Sequence, residues 1–213
     1  VLAAALDDTQ LQRVAREITD RCDAADGLVD GIVAETALCR IDPRRLACPA
    51  GGEGCLSAAQ AQALSDVMAG PVNRDGGRLY FPWPWDPGIA HPGWRAWTLG
   101  TATAGAPNAR HVTLMSGALG FEFVTPPDPT LTVQNFDFER DPLRMQHFHR
   151  VYGTADDVVL KGSSSAAASC MLVHGMADPI FSALETVDYQ QRVMPPMARP
   201  AARVSCAPSS CRA

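Results

Sequence analysis

The 213-residue chain has no apolar run long enough to cross a bilayer and no charged-then-apolar leader at its start, so no membrane span is predicted. It also lacks any block of like charge. Its net charge is −5, the wrong sign for a surface that binds nucleic acid or an anionic membrane. Four of its seven cysteines fall between Cys22 and Cys55, with 16, 8 and 6 residues between them. The cluster has no Cys-x-x-Cys knuckle and no histidine, which argues against zinc and for an oxidised framework rather than cytosolic thiols. Four cysteines allow three pairings, and the sequence alone does not choose among them; sequential pairing closes the shortest loops. An oxidised pattern without an export signal predicts an N-terminus upstream of Val1.

At 46% hydrophobic residues the chain can bury a substantial core, as one domain or as one domain and part of another. Its most distinctive stretch is Cys22 to Val33, where Asp23, Asp26 and Asp30 are interleaved with Gly27 and Gly31. Glycine lets the backbone turn sharply enough to aim carbonyl oxygens inward, and a hard cation such as calcium accepts such an irregular oxygen cage. The stretch is not an EF-hand, because that loop's third and twelfth ligand positions are Ala25 and Ala34. Two readings stay open here: an ion site, or two tight Asp-Gly turns and nothing more. Flanking cysteines favour the first, since a loop pinned at both ends loses less entropy on ordering.

Residues 7 to 21 predict a helix capped by Asp7 or Asp8, with Leu11, Val14, Ala15 and Ile18 on one face. Ser57 and Gln60 form a capping-box pattern for a second helix through Leu64, Val67 and Met68, stopped at Gly70-Pro71. From Pro71 to Pro129 the chain is rich in proline, glycine and tryptophan. Its runs Tyr80-Phe81-Pro82-Trp83-Pro84-Trp85 and Gly93-Trp94-Arg95-Ala96-Trp97 are too apolar for a linker and too broken for regular strands. Such a segment covers either a core or a pocket for an aromatic ligand. Asp141-Pro142 opens a third helix through Leu143, Met145, Phe148 and Val151 to Gly153. His147 and His149 are two apart and face different ways, so they read as ordinary helix residues rather than a metal pair.

Cys170 to His174 is a short apolar run fit for a buried strand. Gly175 to Pro179 reads as a loop, and Ser182 with Glu185 as a capping box opening a helix through Val187, Tyr189 and Val193. Ligands and catalytic groups of an open α/β sheet gather just past a strand's carboxyl end. Asp178 is therefore the best catalytic candidate, as the carboxylate that orients a histidine; the plain alternative is a turn at Asp178-Pro179.

The Cys22–Cys55 cluster, Gly93 to Trp97, Phe123-Val124-Thr125-Pro126-Pro127 and His174-Gly175-Met176-Ala177-Asp178, in this order, resemble the tannase and feruloyl esterase family. The likeness is strongest to its bacterial branch that includes a terephthalate monoester hydrolase. The resemblance covers about residues 7 to 193 and implies a secreted or periplasmic protein. It implies an α/β fold: an α/β-hydrolase fragment dominated by an irregular, helix-containing lid insertion with few strands. It divides the chain into a lid domain at 1–156, part of the hydrolase domain at 157–193, and an off-pattern tail at 194–213. It implies a structural calcium held by the side chains of Asp23, Asp26 and Asp30 and the carbonyls of Leu28 and Ile32. It supports pairing Cys22 with Cys39 and Cys48 with Cys55. Asp178 matches the triad acid, His174 falls near the active site, and Trp94, Arg95 and Trp97 fall on the lid side of the substrate pocket.

The family's Cys-Ser-x-Gly-Gly nucleophile elbow and its Gly-x-x-His-Cys base motif are not in this sequence. Gly162 to Ala166 mimics an elbow but precedes a strand instead of following one. Residues 162–169 and 194–213 lose the pattern while their neighbours keep it, which predicts reading-frame slips in the source sequence. Two functions follow as expectations. One is a serine carboxylic-ester hydrolase acting on a small aromatic ester, of which this chain supplies the lid, the ion site and one triad member and is inactive alone. The other is a secreted calcium-stabilised module that binds a phenolic, a glycan or a protein without catalysis. Neither the particular ester nor the oligomeric state is legible in the sequence.

Overall fold

The computed structural model describes residues 5–48, 53–102, 105–153 and 171–193. The elbow mimic at 162–166, the residue Cys170 and the off-pattern stretches at 162–169 and 194–213 lie outside these. Helix α1, Asp8–Cys22, buries Leu11, Val14, Ala15 and Ile18 along the predicted stripe. Its cap is Asp7, whose carboxylate accepts the Gln10 N–H at 2.8 Å while the Gln10 side chain returns to the Asp7 N–H at 2.9 Å. Helix α2, Ala58–Ala69, begins with the same device built from Ser57 and Gln60. The two capping glutamines also bond each other: Gln10 Nε2 donates to Gln60 Oε1 at 3.1 Å and Gln60 Nε2 to Gln10 Oε1 at 2.9 Å.

Leu64 and Met68 turn α2 inward to the main core, where it packs on the Pro43–Leu46 turn, whereas Val67 of the predicted face is 42% exposed. Helix α2 ends at Gly70, where φ is +77° and a Cβ would stand 2.7 Å from the Phe81 carbonyl oxygen, so a glycine is needed on both counts. The main core joins the inner faces of α1 and α2 to Leu46, Leu56, Ile89 and Trp94. Disulfides Cys22–Cys39 and Cys48–Cys55 staple the loops between the two helices, as the resemblance implies.

The middle of the chain is irregular, with short helices α3, Pro92–Thr98, and α4, Arg110–Ala118, the latter running on through a wider turn at Leu119–Phe123. A smaller core gathers Leu119, Val124 and Leu131, with Phe123, Phe136 and Met145 against it. The predicted third helix is broken at Met145 into α5, Asp141–Arg144, and α6, Gln146–Tyr152. Asp141 is fully buried there, accepting from the Asp137 N–H and from Arg140 and Arg144. Leu143 and Val151 point outward, and His147 and His149 lie on the exposed surface of α6. The last helix among the described residues is α7, Ala183–Val193.

Two expectations need correction. Met171 to His174 forms no ladder, and Met171 and Val173 are 86% and 87% exposed instead of buried. A buried strand needs neighbours for its N–H and C=O groups, and among the described residues only the isolated bridges Ala47–Leu56 and Val72–Arg78 occur. The Ser182–Glu185 capping box also does not form. Ser182 Oγ accepts the Leu184 N–H at 3.2 Å, but the Glu185 carboxylate is drawn away to the hydroxyl of Tyr80.

Candidate functional site

Asp178 sits in the turn between residues 171–175, which form no regular element, and α7. Its Oδ1 accepts the N–H groups of Ile180 at 2.7 Å and Phe181 at 3.2 Å, an arrangement that fixes the carboxylate on its own loop. Oδ2 lies 3.6 Å from His174 Nε2, so the structure brings His174 and Asp178 together. His174 also bonds the Thr186 hydroxyl through Nδ1 at 2.6 Å and the Phe181 carbonyl through Nε2 at 3.1 Å, tying the loop to α7.

The aromatic segment packs on the other side of this loop. Trp83 donates its indole N–H to the Asp178 carbonyl at 3.1 Å. Trp83, Trp94, Met68, His111 and Pro179 wall a cleft of about 70 Å³. A smaller void of about 10 Å³ separates Trp94 from Asp86 and Asp178. Burial pushes the Asp86 carboxyl up, against the opposing pull of the Gly88 N–H bonded to it. Burial pushes the His111 imidazole down, with the Asp178 charge opposing, which favours a neutral ring in the cleft wall.

The other pocket candidates divide. Trp94 is 7% exposed and belongs to the core as much as to the cleft. Arg95 turns the opposite way, donating to the Leu6 carbonyl at 2.7 Å and pairing with Asp8 at 3.3 Å, so it anchors the start of α1. Trp97 packs beside His111, with ring centroids 5.6 Å apart, under the Arg110 guanidinium at 5.7 Å. The sequence marks Tyr80 and Trp83 only as part of an aromatic run and Ser182 only as a helix cap, and it does not mark His111. The signal for Trp83 was its place in a Trp-Pro run, but nothing in such a run tells a cover from a brace.

The acidic loop holds Asp23, Asp26 and Asp30 within the Cys22–Cys39 disulfide. Asp23 is buried and its carboxylate accepts the N–H groups of Asp30 and Gly31. Asp26 accepts from Leu28 at 2.9 Å and Asp30 from Ile32 at 3.0 Å, two successive Asp-Gly-aliphatic turns of one design. The Leu28 and Ile32 side chains are exposed. Three carboxylates and nearby carbonyls suit a hard cation by their chemistry. As placed, each carboxylate faces backbone N–H groups, and among the described residues no set of three or more His, Cys, Asp or Glu side chains converges on a point where an ion could bind.

The chain belongs to the family described as tannase and feruloyl esterase, which it matches over residues 2–203. It is 35% identical to mono(2-hydroxyethyl) terephthalate hydrolase of Piscinibacter sakaiensis, over 87% of this chain and 36% of that protein. It is 31% identical to an uncharacterized esterase of Xanthomonas campestris, over 90% of this chain and 34% of that one. Its fold is similar to the crystal structure of feruloyl esterase B from Aspergillus oryzae, with a TM-score of 0.71 at 22% identity, covering 88% of this chain and 35% of that one. The chain spans about a third of the length of these curated relatives. No described helix is long and apolar enough to cross a membrane.

Proposed function

We propose that this chain is the lid and acid-loop portion of a secreted serine carboxylic-ester hydrolase that cleaves esters of aromatic acids. The observation that carries the reading is Asp178, a carboxylate locked on its loop by two backbone N–H groups in a chain of an esterase family. In the whole enzyme a serine attacks the ester carbonyl, a histidine takes the serine proton and returns it to the leaving alcohol, and Asp178 holds that histidine in the productive tautomer. Neither the serine elbow nor the histidine motif lies in this sequence, so the chain alone does not turn over esters. The aromatic walls around Trp83 and Trp94 form the lid side of the site, and the family supports a small aromatic ester as the substrate.

The same reading gives the acidic loop a structural calcium held by Asp23, Asp26, Asp30 and the carbonyls of Leu28 and Ile32. Its support is the donor chemistry and the disulfide that closes the loop. The ion would neutralise three like charges and stiffen the connection between α1 and α2.

Hydrolysis of p-nitrophenyl esters and methyl ferulate tests the proposal, using this chain and one extended at both ends to include a serine elbow and a His-Cys motif. Turnover by the extended chain and none by this one is the expected outcome. Turnover by neither, with both folded, would reject the enzyme in favour of a binding module.

A further inference from the structure

We propose that Trp83 and Tyr80 are positioning residues for Asp178: the aromatic segment of the lid braces the acid loop and sets where its carboxylate points. The proposal rests on the reading of Asp178 as the triad acid. Trp83 holds the loop at the residue itself, through its indole N–H on the Asp178 carbonyl. Four positions on, Tyr80 holds the loop's exit: its hydroxyl accepts the Ser182 N–H at 3.1 Å and donates to Glu185 Oε2 at 2.7 Å. Ser182, fully buried, answers with its own hydroxyl on the Pro82 carbonyl at 2.5 Å. Gly88 lies so close to Ala177 that a Cβ on the glycine would collide with it.

The brace is itself anchored. Trp83 N–H donates to the Met68 carbonyl at 2.9 Å, at the end of α2, and the Phe81 carbonyl presses on Gly70. Simple packing of two segments would give apolar contacts spread along their length. Here the contacts are directed hydrogen bonds, and two of them end on the backbone of the acid loop, at Asp178 and Ser182. Between those points Asp178 Oδ1 is committed to Ile180 and Phe181, so fixing the backbone fixes the direction of Oδ2. On this account the lid is not only a cover; it carries the support of the acid.

The test is amide hydrogen exchange on this chain and its Tyr80→Phe and Trp83→Phe variants; the first keeps the ring and removes only the hydroxyl, the second removes the indole N–H together with part of the ring system. Exchange at Ile180 and Phe181 is expected to rise about threefold to tenfold in either variant, with Val14 and Ile18 of α1 unchanged. Unchanged exchange at Ile180 and Phe181 in both folded variants overturns the brace, and so does an equal rise throughout α1. In the extended enzyme the Tyr80→Phe change, at a residue outside the cleft wall, is expected to lower kcat about tenfold while KM stays within about twofold. Faster exchange with kcat intact would overturn the positioning role. If the extended enzyme has no esterase activity at all, the functional reading falls, and the exchange result still decides whether the loop is braced.

Discussion

Tyr80 donates its phenolic proton to Glu185 Oε2 at 2.7 Å, joining two residues 105 positions apart. Burial is the main reason that the phenol is pushed well above its ordinary value of 10.0, and the Glu185 hydrogen bond adds to it. The folded protein therefore holds this proton more tightly than the unfolded chain does. The stabilisation is complete below pH 10 and is lost as pH climbs toward the folded value. In urea melts, the fall in stability above pH 10 is expected to be steeper for the parent chain than for Tyr80→Phe. Equal slopes would mean that the phenol gains no proton affinity on folding.

Asp141 behaves in the opposite sense. The Arg140 guanidinium, first among its partners, with the Asp137 N–H and Arg144, holds its carboxyl at about 2 against an ordinary 3.8 despite the opposing effect of burial. Its stabilisation is present above pH 3.8 and is lost as the pH falls toward 2. Asp141→Asn is expected to cost about 1.5–3 kcal/mol at neutral pH, the range for hydrogen bonds to charged groups. It should also flatten the acid limb of the stability profile. Circular dichroism melts between pH 2 and 6 would read both.

Replacing Cys22 and Cys39 with serine opens a disulfide whose ends are 17 residues apart. The chain-entropy argument gives about 3 kcal/mol for a loop of this size. Calcium is expected to raise the melting temperature of the disulfide-bonded chain, and a chelator to reverse the rise. The effect should be smaller in Asp23→Asn. A melting temperature indifferent to both calcium and chelator would remove the ion from the loop.

Ile18 is completely buried in α1, and its truncation to alanine leaves a cavity in the main core. The expected cost is about 2–5 kcal/mol, against about zero to 0.5 for Leu28→Ala on the 62% exposed acidic-loop side chain. Comparable losses at the two sites would place the core elsewhere.

Helices α1 and α2 were legible because each carries its own start signal and an apolar stripe: Asp7 with Gln10, Ser57 with Gln60, and Leu11, Val14 and Ile18 in register. These are local interactions, and local sequence contains them. The Ser182–Glu185 pattern has the same form, yet there Tyr80 offers a partly buried hydroxyl to the same carboxylate and wins it. No reading of residues 182–185 alone can anticipate a partner so far upstream. Met171 to Val173 show the same limit, because an apolar run specifies a buried strand only where other strands lie beside it. Of the candidate site, the residues offered Asp178 and the family resemblance put His174 near it; the structure sets the two 3.6 Å apart. The parts played by Trp83 and Arg95 depend on which way a half-buried side chain turns, and that is settled by tertiary contacts.

The reciprocal amide pairing of Gln10 and Gln60 has an effect on how the molecule comes apart. Each glutamine closes the first turn of its own helix and bonds the other's, so unwinding of either start takes a partner from its counterpart. At about 0.5–1.5 kcal/mol per bond, the two beginnings are coupled, and loosening one favours loosening the other.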